Sequence, residues 1–355
     1  MLCSPTPSES NVVCTRSRFT RPLLFHVPLR LEDSVSVLEA AESPPATARR
    51  RRHPHPGEGV PTFAWPTFGL GVGAFVVFVL VAIGTARGSL PAWAAIPLST
   101  AVSYVMFSVA HEALHRSFCS VRWVNAVVGR LAWLFVVLPF SLPSFGYVHG
   151  EHHRHTNDPD RDPDMFATHA PAWQLPFRWA LMDVFYASWY TRRLWSRIQH
   201  SWRRPLAEVA ETALMFSLTA AIVGGAIVTN HFWLLAVVVL IPQRIGIFII
   251  GWSFDWLPHH GLEATQREDR YRASRLRVGM EWLMAPLSLS QNYHLVHHLH
   301  PWLPFYRYLQ AWRRNEELYL EHDVAVSTLF GRELDAEEYR HWKKWAYVEP
   351  QSRVA

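Results

Sequence analysis

The chain has 355 residues, of which 50% are hydrophobic and 18% charged, so it is long enough for a large buried core or for a membrane domain. Its cysteines, Cys3, Cys14 and Cys119, are too few and too scattered for a disulfide framework or an iron–sulfur cluster, which indicates a site facing a reducing compartment. The net charge of +5 comes from arginines that lie beside long apolar runs, a pattern that favours a membrane topology and argues against a nucleic-acid partner.

Composition divides the chain into three parts. Residues 1–60 are rich in Pro, Ser and acidic residues, include an arginine run at 49–52 and contain no hydrophobic signal core, so we expect a disordered or loosely ordered extension. Residues 61–320 hold the apolar runs and the histidine motifs, and are expected to form a catalytic membrane domain. Residues 321–355 are charged and contain no recognisable motif, which predicts a polar C-terminal tail.

Four apolar segments are long enough to cross the roughly 30 Å hydrocarbon core as helices of about 20 residues. They cover about 64–86, 90–110, 207–229 and 232–254. Short connections join the first to the second and the third to the fourth, so each pair forms a hairpin with both ends on one side. The sequence therefore predicts an all-α, polytopic membrane protein with about four transmembrane helices in two hairpins. A histidine-rich cap follows, and the arginines between the hairpins place it in the cytosol by the positive-inside rule.

Two further apolar stretches lie between the hairpins. The first, 123–145, contains Arg130 and two prolines, which favour a re-entrant or interfacial segment over a fifth span. The second, 173–195, mixes Trp, Tyr and Arg and is expected to be an interfacial amphipathic helix. Arg244 lies inside the fourth span, where an unpaired charge is costly, so we expect its partner to be an acidic residue or the site itself.

Histidines concentrate in three motifs near the ends of the predicted spans. The motif HEALH places two histidines four residues apart, so a helix presents both on one face. The motifs HGEHH and HLVHH repeat spacings of three and four. Neutral imidazole suits iron, zinc or copper, and eight such side chains exceed what one metal ion uses, which predicts a two-metal centre. The eight are His111, His115, His149, His152, His153, His294, His297 and His298.

A fourth motif, FDWLPHHG, closes the last predicted span and adds further candidates. We expect His259, rather than His260, to be a ninth ligand because it lies about one helical turn beyond Asp255. Three residues are expected to orient the ligands or a metal-bound water without binding metal: Asp255, Asn292 and His155.

The acidic stretch NDPDRDPD, residues 157–164, has alternating acids that superficially match a calcium loop. It lacks the glycine and the terminal glutamate of that loop, and its prolines stiffen it. We therefore expect a solvated, turn-forming stretch that hydrogen-bonds the neighbouring histidine helix.

HEALH also matches HExxH, the zinc metalloprotease signature in which Glu112 would be the general base. An intramembrane metalloprotease is therefore a remote alternative. It requires a single zinc ion with two histidines and a third ligand, and it leaves both HxxHH motifs unexplained.

HxxxH, HxxHH and HxxHH, in this order and separated by predicted membrane hairpins, resemble the motifs of the membrane fatty acid desaturase and hydroxylase superfamily. The resemblance covers residues of about 65–320. The segments HGEHHRHTNDPDRDPD, FDWLPHH and QNYHLVHHLHPWLPFYRY are most similar to the bacterial and cyanobacterial beta-carotene hydroxylase branch. One departure is Glu112, where many relatives have Asp.

The resemblance implies a non-haem di-iron centre, with the two iron ions held by the histidines named above and dioxygen as co-substrate. The implied reaction removes hydrogen from an unactivated C–H bond of a lipid-soluble substrate, which in this branch is a beta-carotene ring, and leaves a hydroxyl group. Removal of a second hydrogen instead gives a double bond. Because the same ligands serve both outcomes, a fatty acyl desaturase stays open as the alternative.

Each turnover of such a centre needs two electrons from outside the site. The sequence shows no Gly-rich dinucleotide fingerprint, cysteine cluster or haem domain, so we expect a separate electron donor, a ferredoxin or a similar carrier. Candidate docking residues are Arg192, Arg193, Arg203 and Arg204, although membrane-topology charge is the better explanation of them. We expect an integral, multi-pass protein of the bacterial cytoplasmic membrane with its active site facing the cytoplasm.

Overall fold

The structure, a computed structural model, describes residues 53–346. Most of the extension expected at 1–60, including the arginine run at 49–52, lies outside the described residues. The described chain is mostly helical, which confirms the predicted all-α class, and it also contains one small sheet.

The helices and strands follow one another along the chain, and α9 includes two stretches of π-helix, Ala236–Leu240 and Gly251–Trp256. The helices are α1 (Trp65–Ala86), α2 (Ala92–His115), α3 (Arg122–Trp133), α4 (Leu142–His155), α5 (Met165–Thr168), α6 (Leu175–Ala180), α7 (Met182–His200), α8 (Arg203–Val228), α9 (Phe232–His259), α10 (Glu281–Leu287), α11 (His294–Leu299), α12 (Tyr308–Glu321) and α13 (Ala336–Ala346). The strands are β1 (Arg275–Val278), β2 (Ala325–Thr328) and β3 (Glu333–Leu334).

Four of the described helices, α1, α2, α8 and α9, are long and apolar enough to cross a membrane, as predicted. The first two are joined by residues 87–91 and the last two by residues 229–231, so both hairpins are present. The helices α2 and α9 run past their predicted ends at 110 and 254, to His115 and His259. This extra turn carries histidines of both hairpins into the candidate site.

The apolar stretch 123–145 does not form one spanning helix, because α3 ends at Trp133 and α4 begins at Leu142. Ser141 caps α4 by accepting a hydrogen bond from the Ser144 backbone N–H at 3.4 Å. Pro143 lies in the first turn, where its missing N–H removes no helical hydrogen bond. The break starts a new helix, which carries the HGEHH motif.

Arg244 of α9 pairs with an acidic side chain, which was one of the two alternatives predicted for it. Its guanidinium donates to both carboxylate oxygens of Asp183, at 2.7 and 3.0 Å, and to the Ala180 carbonyl oxygen at 2.8 Å. The pair joins the start of α7 to the middle of a membrane span. It offsets the cost of placing a charge at that depth.

Aromatic side chains fix the ends of α2, α4 and α9 relative to one another. The rings of Phe107 and Phe254 meet edge to face with centroids 4.7 Å apart, and Trp133 stacks on Phe145 at 4.6 Å. Such pairs contribute about 0.5–1.5 kcal/mol each beyond their buried area. These rings belong to the larger apolar core, which lies directly beside the histidines.

A second core surrounds α11 and the small sheet. Strand β1 pairs in parallel with β2, with Leu276 opposite Val326, and β2 pairs antiparallel with β3. Leu276 and Val326 pack in one cluster with Leu295 and Val296 of α11. Strands of two to four residues are too short for an alternating pattern to be recognised, so the sequence did not predict them. The sheet holds α11 in place.

Replacing Val326 by alanine is expected to lower the free energy of unfolding by about 1–2 kcal/mol, because two buried methyl groups are removed from this core. Val326 is 1% exposed, whereas Phe330, in the turn after β2, is 92% exposed. Thermal unfolding of the detergent-solubilised protein should therefore detect V326A and leave F330A at the wild-type midpoint. Equal midpoints for V326A and wild type would show that residues 325–334 fold independently of α11.

Candidate metal centre

The end of α2 presents two histidines on one face. His111 and His115 are one turn apart, with ring centroids separated by 4.7 Å. The helix ends directly after His115, where Arg116 takes a left-handed backbone conformation with φ of 59°. One turn before His111, the ring of Phe107 stacks against its imidazole at 5.8 Å. Apolar packing thus holds the first imidazole pair at the edge of the membrane domain.

The other histidines come from α4, α9 and α11. His149, His152 and His153 lie in the last two turns of α4, and His259 is the last residue of α9. The six-residue helix α11 carries His294, His297 and His298, and its apolar residues anchor it in the second core. All of the nine predicted ligand histidines lie in two adjacent groups, and within each group the candidate ligand atoms lie within 4.8 Å of one another. The groups are His111, His115, His149, His153 and His297, and His152, His259, His294 and His298.

Imidazole nitrogens converge closely inside the larger group. The Nε2 atom of His149 lies 3.0 Å from that of His111, 2.8 Å from that of His115 and 3.0 Å from that of His153. His297 joins through its Nε2, 3.0 Å from Nε2 of His153. In the smaller group, the Nε2 atoms of His152 and His298 are 3.3 Å apart. Each group presents its ring nitrogens to a common point, as ligands of one metal ion do.

The two HxxHH motifs interlock between the groups. From the first motif, the pair four residues apart, His149 and His153, enters the larger group, while His152 enters the smaller one. From the second motif, His294 and His298 enter the smaller group, and His297 enters the larger one. In both motifs the two histidines that stay together are four residues apart, and the histidine three residues after the first joins the other group. Each motif therefore bridges the two groups.

Hydrogen bonds to the second ring nitrogen fix the orientation of the imidazoles in the smaller group. The Nδ1 atom of His259 lies 2.9 Å from the Ala273 carbonyl oxygen, which can only accept. Its Nε2 is then a bare acceptor, and it is buried without a hydrogen-bond partner among the described residues. A buried lone pair of this kind is costly unless it binds something, and a metal ion fits it.

Similar contacts orient histidines of α11. Gln291 Oε1 lies 2.7 Å from Nδ1 of His294, and the Tyr308 hydroxyl lies 3.0 Å from Nδ1 of His297. In both cases the hydrogen bond at Nδ1 leaves Nε2 facing the centre of its group. These partners, which the sequence did not predict, are the outer contacts that metal-binding histidines generally make.

Two carboxylates from the acidic stretch hold His152. Its Nδ1 lies 2.9 Å from Asp162 Oδ1 and 3.1 Å from Asp164 Oδ2. Burial alone would lower the pKa of His152, but the charges of Asp164 and Asp162 outweigh it and raise that pKa to about 9. The prediction that this stretch hydrogen-bonds the histidine helix is confirmed. The prediction that it is solvated is wrong for both carboxylates, which are buried.

The net pKa shift is in the opposite direction for the other candidate ligand imidazoles outside the membrane spans, because no carboxylate outweighs their burial. Burial holds their pKa values well below the usual 6.5, and neighbouring imidazoles add to the shift. They are therefore neutral at physiological pH, which is the form that binds a metal without first releasing a proton. The residues concerned are His149, His153, His294, His297 and His298.

The residues predicted to orient ligands lie in different places. Asp255 hydrogen-bonds Asp164, so it reaches His152 through that carboxylate. Asn292 donates to the Arg277 carbonyl oxygen at 3.2 Å and accepts from Ser288, whereas its neighbour Gln291 contacts His294, a candidate ligand. His155 lies apart, with Nε2 3.9 Å from Glu151.

His260 lies outside both groups. Its ring stacks on Trp256 with centroids 4.4 Å apart, and the residue is exposed. His300 is buried next to α11 but directs its Nε2 to the Tyr319 hydroxyl, 3.1 Å away. Adjacent histidines thus differ completely in their surroundings.

Glu112 has the contacts of a structural residue. Its Oε2 accepts a hydrogen bond from the Thr67 hydroxyl at 2.6 Å, and its Oε1 accepts one from the Phe305 backbone N–H. The carboxylate thereby joins α1, α2 and the segment before α12. A metalloprotease base must instead face the metal-bound water, so this geometry argues against the protease alternative.

A narrow apolar cleft of about 50 Å³ leads to the histidines. Its walls include Phe107, Trp133, Phe145 and Phe254, and it ends at His149 of the larger group and at His152 and His294 of the smaller one. Besides the histidines, its polar lining residues are Asp164, Asp183, Asp255 and Tyr186. An apolar molecule in this cleft would bring its end to both groups at once.

Comparison with known proteins agrees with this geometry. At 31% identity, the chain resembles a beta-carotene ketolase of Paracoccus sp. (strain PC1), over 59% of this chain and 74% of the relative. It also resembles an sn-1 oleoyl-lipid 12-desaturase of Anabaena variabilis, with 25% identity over 53% of each protein. A desaturase of the same name from Picosynechococcus sp. is 38% identical over 29% of this chain and 28% of its own length. The chain thus spans about half or less of these desaturases.

The family model for fatty acid desaturases matches residues 88–330. The match runs from the connection before α2 to the turn after β2 and contains all nine histidines of the two groups. Both kinds of relative carry names of oxidoreductases. The chain belongs to the fatty acid desaturase family.

Proposed function

We propose that this chain is a di-iron oxidoreductase that uses dioxygen to oxidise a C–H bond of a lipid-soluble substrate, and that this substrate is a carotenoid ring. The observation that carries the proposal is the apolar cleft that ends at histidines of both groups. The beta-carotene ketolase relative, which the chain covers over 74% of its length, supports the carotenoid over other lipids.

The donor set fits two iron ions. Nine imidazoles, divided five and four, are borderline ligands that suit iron, and the acids beside them contact His152 without joining either of these two groups. The buried Nε2 of His259 has no hydrogen-bond partner among the described residues, so it could bind one of the iron ions. Iron bound there would supply the reduction of dioxygen and the removal of hydrogen from the substrate.

The protein's own side chains would bind and orient the substrate. The rings of Phe107, Trp133 and Phe254 line the cleft and suit a flat hydrocarbon ring, because aromatic faces pack on one another and exclude water. The cleft is narrow, so substrate entry requires side chains to move. Met182 lines it and is the most adaptable of its residues, since an unbranched thioether changes rotamer at low cost.

Acyl desaturation is the second candidate. The lipid desaturase relatives support it, and the same histidines serve both reactions. A third product class is a ring ketone, which two successive hydroxylations of one carbon give after loss of water. The ligand geometry does not choose between these products, because the substrate's position in the cleft determines which hydrogen is removed.

The electron donor is proposed to be a separate carrier, a ferredoxin or a similar protein, that docks at exposed arginines. Of the candidates, Arg192, Arg203 and Arg204 are exposed, and Arg204 also donates to the buried Glu208 at 3.0 Å. We propose the bacterial cytoplasmic membrane as the location, with the metal centre on the cytoplasmic side, where such carriers are available.

Expression in a bacterial host that accumulates beta-carotene, with pigment and lipid analysis by mass spectrometry, tests the proposal. We expect a new carotenoid that has gained oxygen, and two iron ions per purified chain. Unchanged carotenoids together with new double bonds in the host's acyl chains would support the desaturase. A single zinc ion and no oxidised product would contradict both. The inactive control is H259A, which removes an imidazole from the smaller group.

A further inference from the structure

A second apolar cavity lies on the other side of α9 from the cleft. It is a groove of about 700 Å³ between α2, α9 and the segment that contains β1 and α10. Its lining is almost wholly apolar and includes Ile96, Val105, Ile249 and Leu287. Along α9 the groove runs from Ile245 to Leu257, which is roughly 18 Å at 1.5 Å per residue. A groove of this length along two membrane spans suits an extended hydrocarbon chain.

One end of the groove holds a buried cation. Arg277 of β1 lines the groove and is only 7% exposed. Its guanidinium donates from Nε and Nη2 to a single acceptor, the Leu257 carbonyl oxygen, at 3.2 and 2.9 Å. Among residues 53–346, none of the ion pairs includes Arg277, and the charge that acts on it is the like charge of Arg275. A buried guanidinium without a carboxylate is costly, so this position favours an anion.

The position of Arg277 along the spans indicates where the anion comes from. Leu257, to which it donates, lies two residues before the end of α9, on the side of the membrane domain where the metal centre lies. Trp252 and Leu287 line the groove and are exposed on its outer side, so the groove is open laterally where α2 and α9 would face lipid. A phospholipid in a membrane has its phosphate at the interface and its acyl chains parallel to the helices. Arg277, at the end of a span and beside a lipid-facing groove, matches this arrangement.

We propose that this groove binds one anionic membrane phospholipid, with the phosphate paired to Arg277 and an acyl chain lying along α2 and α9. The Nη1 hydrogens and the remaining Nη2 hydrogen of the guanidinium fit two phosphate oxygens, which a lysine cannot match. The site is distinct from the cleft that ends at the histidines, since the two cavities share no lining residue. The lipid is therefore a bound partner of the fold, and its presence does not depend on which reaction the metal centre performs.

Native mass spectrometry of the full-length chain in detergent, titrated with phosphatidylglycerol, tests this site. We expect R277Q to weaken binding of the first lipid by at least about tenfold, because a charge-assisted hydrogen-bond pair is lost. R277K should retain part of the affinity. The matched control is R87Q, which removes an exposed arginine at the other end of the spans and should bind as the wild type does.

A second variant tests the apolar part without touching the charge. Ala101 lies on the exposed face of α2 and lines the groove, so A101W would fill it while leaving Arg277 in place. We expect A101W to weaken phosphatidylglycerol binding to a similar extent. If R277Q does not fold, A101W alone tests the proposal. The proposal fails if the wild type binds no more phosphatidylglycerol than these variants do. It also fails if inorganic phosphate alone binds as tightly as the lipid, or if phosphatidylcholine binds equally well, since either result removes the anionic lipid as the specific occupant.

Discussion

Replacing His259 by alanine is expected to reduce metal affinity and substrate oxidation by more than about 100-fold, while the same change at the adjacent His260 has almost no effect. His259 supplies a buried, unpartnered Nε2 to the smaller group, and loss of an outer contact alone typically costs 10–100-fold in such sites. His260 is exposed and stacks on Trp256. Iron per chain, measured by plasma mass spectrometry, and product yield in a carotene-producing host should fall together in H259A.

The comparison of adjacent residues separates a ligand from a merely histidine-rich surface. Both variants remove one imidazole from the same turn, so they share any effect on expression or membrane insertion. Full iron content and product in H259A would exclude His259 from the centre and leave the smaller group with three histidines. Equal losses in H260A would show that the end of α9, rather than one imidazole, is what the site requires.

Spacing within each motif carried most of what the sequence predicted about the site. The interval of four in HEALH and the intervals of three and four in the HxxHH motifs determine which histidines share a helix face, and this needs only helix geometry. The hairpin arrangement followed from segment length and charge. The meeting of His111, His152 and His297 from three separate helices agrees with both arguments.

The division of each HxxHH motif between two groups could not be predicted from spacing. It depends on the angle at which α4 and α11 approach each other, and that angle is set by packing in two different cores. The π-helical stretch Gly251–Trp256 presents the same difficulty, because one extra residue per turn shifts every later side chain in α9, including His259. No local pattern in the sequence indicates such a stretch.

The hydrogen-bond partners of the candidate ligand histidines were predicted least well, because they depend on how segments distant in the sequence pack together. Asn292 was expected to orient a ligand, but the 3-10 turn at Gln291–Tyr293 directs Gln291 there instead. The acids at 162 and 164 carried a usable signal, because they belong to an alternating acidic run that begins five residues after His153. The polar composition of the stretch did not indicate that these two acids are buried.

Replacing Asp162 by asparagine is expected to lower metal affinity by about 10–100-fold with the fold retained. Asp162 and Asp164 raise the pKa of His152 to about 9 and fix its Nδ1–H, which makes Nε2 a stronger and better oriented donor. An amide oxygen can still accept from Nδ1, but it lacks the negative charge that strengthens the imidazole. Competition with a chelator, followed as the rate of iron release, measures the loss.

Asp160 offers a matched control, because it lies in the same acidic stretch but is exposed and two residues away. D160N removes the same charge and should release iron at the wild-type rate. If both variants release iron faster, the effect is the net charge of the stretch and His152 has no special role. If D162N alone does so while the thermal midpoint of the metal-free protein stays unchanged, the carboxylate acts on the metal through His152, since a packing defect would destabilise the metal-free fold as well.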